Sequence, residues 1–271
     1  MKKALLIAGI GAMAVGANAG DWGKAPVGKA PVIEECVDLG GEISVGYDTD
    51  YLFYGVRFAR DSVWTDVNYT FDELAIPINV GVWYLNGING GGSGYDELNL
   101  YTSAELGTFA GFDFEVGFTH LSFPEYRSNV TSTGGYSEAN LSISRSLGFV
   151  DLTYRTVSAF GGRGTASGWF HDLGFEKTFA LTDTVGLVLG GGVGFADGYA
   201  DSTTFGLLRD SGWNHYYVTA SLPIQLNCRT VLTPYVGYLG APDTWIADGI
   251  NVGPGPQSDI LHGGVSLTVS F

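Results

Sequence analysis

The sequence predicts an all-β protein: a single transmembrane antiparallel up-and-down β-barrel of about 12 strands. Three observations carry that prediction. From residue 41 onward, segment after segment alternates apolar and polar residues with a period of two. The connections between these segments are alternately short and long. The chain ends on VSLTVSF, where a terminus would ordinarily carry little pattern. The composition agrees: 42 glycines, 14% aromatic and only 15% charged residues suit extended strands whose bulky side chains face an apolar medium.

In order, one apolar parity reads Ile43, Val45, Tyr47, Tyr51, Phe53 in the first segment and Val67, Tyr69, Phe71 in the second. The third has Ile76 to Tyr84, the fourth Leu98 to Leu106, and the fifth Phe112, Phe114, Val116, Phe118. The sixth follows with Ala139, Leu141, Ile143, the seventh with Val150, Leu152, Tyr154 and on to Phe160, and the eighth with Trp169, Leu173, Phe175, Phe179. Val185, Leu187, Leu189, Val193 mark the ninth, and Tyr216 to Ile224 the tenth. The eleventh, near 229–240, is ambiguous because Pro234 cannot donate to a ladder. The twelfth begins near Leu261. The opposite parity is mostly polar, as with Glu42, Ser44, Asp48 and Asp50 in the first.

Short connections such as FDEL, GTFAG, LG, ALTD and LNCR alternate with long ones, among them NGINGGGSG and the loops 124–135, 196–212 and 240–258. Outer-membrane barrels have this asymmetry, with short periplasmic turns and long extracellular loops. The hairpin at Tyr54-Gly55 is the exception, a tight turn at the long-loop end. Aromatics sort into two belts: Tyr51, Phe53, Trp83, Tyr84, Phe118, Phe160, Trp169, Phe170 and Trp213 toward the long loops, and Tyr69, Phe71, Phe109, Phe112, Phe149, Phe179 and Phe271 toward the short turns. The last strand must pair with the first, because an open edge in lipid leaves backbone groups unsatisfied. Its lipid face is Leu261, Val265, Leu267, Val269 and Phe271.

The N-terminus reads as a processing segment. Lys2 and Lys3, an apolar run from Ala4 to Val15, and Ala17-Asn18-Ala19 give a secretory signal over residues 1–19. Its removal leaves 11 Lys+Arg against 28 Asp+Glu, a charge of −17, which argues against a nucleic-acid partner. Residues 20–38, with the repeat GKAPV-GKAPV, read as a flexible periplasmic tether, the alternative being a short ligand motif for a periplasmic partner. Residues 39–271 form the barrel. In an exported chain the two cysteines, Cys36 and Cys228, suggest a disulfide. Both fall at the periplasmic floor, and closure brings them within two strand spacings, roughly 10 Å.

The signal, the tether and then GEISVGYDTDYLFYGVRFARDS resemble the opening of a porin-like family of uncharacterised Gram-negative outer-membrane β-barrel proteins. Members tend to carry a Tyr-aromatic-Arg-Gly segment near the end of the first strand, and Tyr51-Leu52-Phe53-Tyr54-Gly55 occupies that place with Tyr54 where Arg is common. The resemblance implies a barrel in the cell outer membrane and no defined activity. It also implies that Phe271, with Val265, Leu267 and Val269, forms the C-terminal signal read by the outer-membrane assembly machinery.

The polar parity supplies the candidate lumen: Glu42, Asp48, Asp50, Asp66, Glu97, Glu105, Asp113, Glu115 and Glu176, opposed by Arg57, Arg145 and Arg155. Such a lining is either a water-filled, cation-preferring pore or a packed plug of paired charges, because about twelve strands lies between filled 8-stranded and open 16-stranded barrels. No nucleotide motif is present: GGGVGFADG lacks both the Lys-Ser/Thr of a phosphate loop and the G-x-G-x-x-G spacing. His120, His171, His215 and His262 have no close spacing that would make a metal site, and no cofactor is expected. The leading expectation is a passive narrow channel for small solutes or cations. The alternatives are a non-conducting structural or surface-interaction barrel, and a lipid hydrolase using His120 with Ser122 or His215 with Ser211 at the rim. The expected partners are the lipid bilayer, the assembly machinery and the solutes, and the oligomeric state is left open.

Overall fold

The computed structural model describes residues 39–88, 95–124, 135–160, 168–199, 211–242, 245 and 258–271. Its strands are β1 (Gly41–Phe53), β2 (Val56–Phe71), β3 (Ile78–Gly87), β4 (Tyr95–Phe109), β5 (Phe112–Ser122), β6 (Tyr136–Ser146) and β7 (Asp151–Phe160). They continue with β8 (Trp169–Ala180), β9 (Gly186–Asp197), β10 (Ser211–Ser221), β11 (Ile224–Asn227), β12 (Thr230–Gly240) and β13 (Ile260–Ser270). Consecutive strands pair antiparallel, except β10 with β11, and two further pairings close the ring. β1 runs against β13 from Glu42↔Ser270 to Asp48↔Gly264, and β10 runs against β12 from Ser221↔Tyr235 to Tyr216↔Gly240. No edge remains to face lipid.

β11 is not an additional barrel stave. Ile224↔Leu232 continues the register of Ser221↔Tyr235, so β10 and β11 are one strand interrupted at Leu222-Pro223. Pro223 has no N–H, yet its carbonyl accepts from Gly186 N, and the Pro234 carbonyl opposite accepts from Leu222 N. Each proline therefore sits where only its acceptor is used, and the fold is a closed barrel of 12 staves. The eleventh predicted segment is β12, an interior strand despite Pro234.

Ile43, Val45, Val67, Val80, Val82, Leu100, Val116, Leu173, Val218, Val265 and Val269 lie exposed on the outside, on the parity the sequence marks as apolar. Because the side-chain period is two, the other parity points inward everywhere the ladder is regular. The chain ends in the wall: Leu39 N and Gly41 N donate to the Phe271 carbonyl, and Phe271 N donates to Gly41 O. The short-turn belt is present, with Phe71, Phe109, Phe112, Phe149, Phe179 and Phe271 all exposed.

The long-loop belt differs from the expectation. Phe118, Phe160, Trp169 and Trp213 face outward, but Tyr51, Phe53 and Phe170 are buried in the principal hydrophobic cluster, with Trp83 packed against it. Trp83 and Phe170 have the inward parity of their strands, next to outward Val82 and Trp169. Tyr51 and Phe53 keep the apolar parity of β1 but lie in a hairpin that leaves the wall; within it Tyr51 pairs with Ala59 and Leu52 with Arg57, so Phe58 is an extra residue on β2. Arg145 is a second correction. It was expected in the lumen, but it shares the outward parity of Leu141 and Ile143, and its guanidinium lies 4.8 Å from the Phe112 ring centroid. Residues 1–19, 20–38 and Cys36, with most of the three long loops, lie outside the described residues; Cys228 is disulfide-bonded.

Candidate functional site: the barrel lumen

The lumen has two unlike halves. At its long-loop end, the β1–β2 hairpin leaves the wall and folds into the barrel. β1 stops pairing with β13 at Asp48, and the β2–β3 ladder ends at Ser62 with one further bond from Ile88 N to the Asp61 carbonyl, so residues 49–60 pair in the ladder only with each other. The tip is a two-residue turn with Tyr54 at φ 45° and Gly55 at φ 80°, the left-handed pair that suits a tight hairpin. Tyr51, Leu52, Phe53, Tyr54 and Val56 are all buried.

The hairpin touches the wall on every side. Tyr51 packs on Trp83 and Tyr95 with ring centroids 5.8 and 5.5 Å away. Leu52 packs with Leu239 of β12 and Ile260 of β13. Tyr54 packs against Phe170 of β8 with ring centroids 4.4 Å apart and edge-on against Tyr199 beyond β9 at 4.8 Å. Asn214 of β10 donates its side-chain N–H to the Tyr54 carbonyl at 2.6 Å. A close ion pair, Arg57 Nε to Asp50 at 2.7 Å, lies within the hairpin itself.

Five inward carboxylates, Asp48, Asp66 and Glu97 among the candidates together with Glu138 and Asp172, accept from tyrosine hydroxyls. Tyr51 and Tyr95 donate to Glu97 at 2.7 and 2.6 Å, and Asn99 donates to its other oxygen at 2.7 Å. Tyr101 donates to Asp66 at 2.9 Å, Tyr217 to Asp172 at 3.0 Å and Tyr235 to Asp48 at 2.8 Å. Tyr54 at 3.0 Å and Tyr199 both donate to Glu138. Burial, then the Glu138 carboxylate, holds the Tyr54 and Tyr199 phenols well above the ordinary tyrosine range, so both remain neutral donors.

Three of these pairs share one construction. Tyr101 on β4 lies over Gly81 of β3 to reach Asp66 on β2. Tyr217 on β10 crosses Gly192 of β9 to reach Asp172 on β8, and Tyr235 on β12 crosses Gly264 of β13 to reach Asp48 on β1. A Cβ at any of these glycines would collide with the ring above it. Glycine lets the ring lie flat on the wall and donate two strands away.

The short-turn half is acidic and sparsely countered. Glu105 stands directly opposite Glu115, and Asp151 opposite Glu176. Across the wall at one height run Glu105, Glu115, Ser142, Arg155 and Asp172. Asp113 accepts from Thr108, and Glu42 sits opposite Asn68. Glu138 and Asp172 were not among the sequence candidates. Their inward parity beside Leu141 and Leu173 was the available signal.

The candidate histidines do not converge. His120 bonds Ser137 at 3.0 Å and His171 bonds Tyr154 at 2.8 Å on the outside, whereas His215 and His262 are buried against Gly194 and Gly237. Among the described residues no three His, Cys, Asp or Glu side chains form a metal-binding group.

The closed ring, apolar exterior and polar lumen are those of solved outer-membrane barrels. An outer-membrane channel from Pseudomonas putida F1 matches with TM-score 0.54 and 11% identity, covering 90% of this chain and 100% of that one. The chain has the fold of an outer-membrane porin. The KdgM porin matches at TM-score 0.51 and 9% identity over 85% of this chain and 99% of its own, and the NanC porin at 0.50 and 8% over 85% and 98%. No protein-family model and no curated protein matches the chain in sequence.

Proposed function

We propose that this porin-fold barrel is a passive outer-membrane channel that favours small cations over anions. The observation that carries this reading is the lumen's charge: Glu42, Asp66, Glu105, Asp113, Glu115 and Glu176 occupy the inward face, where Arg155 is the main inward base below the hairpin. A lining of one sign raises the local concentration of counter-ions and repels co-ions. Planar-bilayer recording across a salt gradient tests the reading. It expects a reversal potential of cation-selective sign that shrinks when Glu105 and Glu115 become Gln.

The second reading is a non-conducting barrel whose outer loops meet external partners. The buried hairpin in the mouth favours it, because Tyr51, Tyr54 and Phe170 fill the space an ion would cross. A bilayer record without current steps would decide for this second reading.

A further inference from the structure

We propose that residues 49–61 are an inward-folded stopper, and that its departure from the mouth leaves Glu97 and Glu138 as the outer pair that selects cations. The inference rests on the channel reading and concerns how that channel opens.

Three features of the backbone make the hairpin separable from the wall. First, its ladder is internal: the pairs Asp50↔Arg60, Tyr51↔Ala59 and Phe53↔Val56 travel with it, and no β13 or β3 ladder bond need break above Asp48 and Ser62. A segment that keeps its own backbone bonds can swing about its base, here the Ile88 N–Asp61 O and Gly263 N–Thr49 Oγ1 bonds, mainly at the expense of side-chain contacts. Second, the junction with the wall is irregular. Asp61 has φ 53°, unusual for a residue other than glycine, and it is the last hairpin residue before the β2–β3 ladder resumes. Third, its polar attachments at the tip run through single side chains, Tyr51 to Glu97, Tyr54 to Glu138 and Asn214 to the Tyr54 carbonyl, while Gly263 N to Thr49 Oγ1, Tyr47 to Asp61 and Ile88 N to the Asp61 carbonyl hold its base.

The same attachments say what is left behind. Glu97 and Glu138 belong to the wall strands β4 and β6, both facing inward and both buried beneath the hairpin. When the hairpin leaves, each loses one tyrosine donor but keeps Tyr95 or Tyr199, which are not part of the hairpin. The carboxylates would then face water from fixed positions at the narrow, aromatic-lined end of the barrel. Fixed carboxylates at a constriction attract cations and exclude anions. A tight turn at the long-loop end, out of step with the other connections, is what a stopper of this kind requires: a longer tip would not fit among Phe170, Tyr199 and His215.

The test uses the full-length barrel in planar bilayers and two independent variants. In the first, residues 51–58 are replaced by Asn-Gly, with barrel content checked by circular dichroism. In the second, Gly55→Cys is combined with His215→Cys. A Cβ at residue 55 comes 3.0 Å from the His215 Cβ, close to the about 3.5–4.5 Å of disulfides. The shortened variant is expected to raise mean conductance at least tenfold over the parent. The oxidised double-cysteine variant is expected to be silent, and to regain parent-level current on reduction, with the parent given the same reductant as control. In the shortened background, Glu97→Gln with Glu138→Gln is expected to lower the cation-to-anion permeability ratio at least threefold. Equal conductance of parent, shortened and locked proteins would overturn the stopper while leaving the channel standing. Silence of parent and shortened protein alike would overturn both. An unchanged permeability ratio would overturn the role of the two glutamates.

Discussion

The side-chain N–H of Asn214, on β10, lies 2.6 Å from the Tyr54 carbonyl, at the tip of a hairpin that enters from strands on another part of the barrel. Asn214 is fully buried, so this bond is made in a place where water cannot substitute for it. Asn214→Leu removes the donor and leaves the Tyr54 carbonyl without that partner, at a cost of about 1–3 kcal/mol. The expected result is local: amide exchange of residues 50–58 should accelerate by about tenfold or more, with wall amides of β8 and β9 unchanged. Uniform acceleration over the whole barrel would contradict a separable hairpin.

The tyrosine-over-glycine pairs give a second prediction. Gly81→Ala drives a methyl into the Tyr101 ring that lies across it. Overpacking of this kind costs about 1–3 kcal/mol. Tyr101→Ala alone should also destabilise, by removing the ring and the donor to Asp66. The two losses should not add, because the double variant has no ring left to collide with. Urea unfolding in lipid vesicles would show this as a coupling of about 1 kcal/mol or more.

Much of the wall could be read directly from the chain. Val67, Val82 and Leu100 fall opposite one another on the outer face as their parity demanded, and VSLTVSF closes the ring. The outward position of Arg145 was also legible, since Leu141 and Ile143 fix its parity; reading its charge instead of its position put it in the lumen. The hairpin was not legible by parity. Tyr51 and Phe53 share the apolar parity of Ile43 and Val45, and they are buried because the hairpin leaves the wall and folds into the barrel, which brings both of its faces inside. A hairpin that leaves the wall keeps the period of two and so has no periodic trace. The signals available were the tight Tyr54-Gly55 turn on the wrong side and the charges Arg57, Arg60 and Asp61 where an outer apolar series should have continued. The carboxylate–tyrosine pairs depend on register two strands away, which composition does not carry.

The face-on-face opposition of Glu105 and Glu115 predicts a gain in stability on neutralisation. Like charges directly opposite across an antiparallel pair are unfavourable by about 0.2–1 kcal/mol. Glu115→Gln should therefore raise the urea midpoint slightly, and the gain should shrink in high salt as screening weakens the repulsion. A lower midpoint at every ionic strength would mean that the carboxylate is held by an attraction stronger than this repulsion.

Cys228 is disulfide-bonded, and Cys36 is the other cysteine of the chain. Their bond would fasten the segment before β1 to the turn between β11 and β12, across the short-turn floor. The denatured, unreduced protein should then contain no titratable thiol, and two thiols would exclude the bond. Cys228→Ser should not disturb the hairpin at the opposite end, so amide exchange at residues 50–58 should match the parent.

The sharpest test of the lipid-facing exterior is a matched pair of charge insertions. Val82 lies on the outer face of β3, with Val67 and Leu100 directly opposite on either side. Its neighbour Gly81 faces the lumen beneath Tyr101, so the wall changes solvent within one residue. Val82→Arg places a guanidinium in hydrocarbon near mid-height, where such a charge costs about 2–4 kcal/mol. Ser103→Arg, on the inward face of β4 two strand residues from Glu105, meets water and an excess of carboxylates. Unfolding in lipid vesicles should therefore show a large loss for the first and little or none for the second. The difference should largely vanish in a detergent whose thin belt lets the arginine reach water, because the penalty belongs to the hydrocarbon and not to the packing of β3 against its neighbours. Equal losses for the two arginines in lipid would mean that the outer face is not bathed by acyl chains.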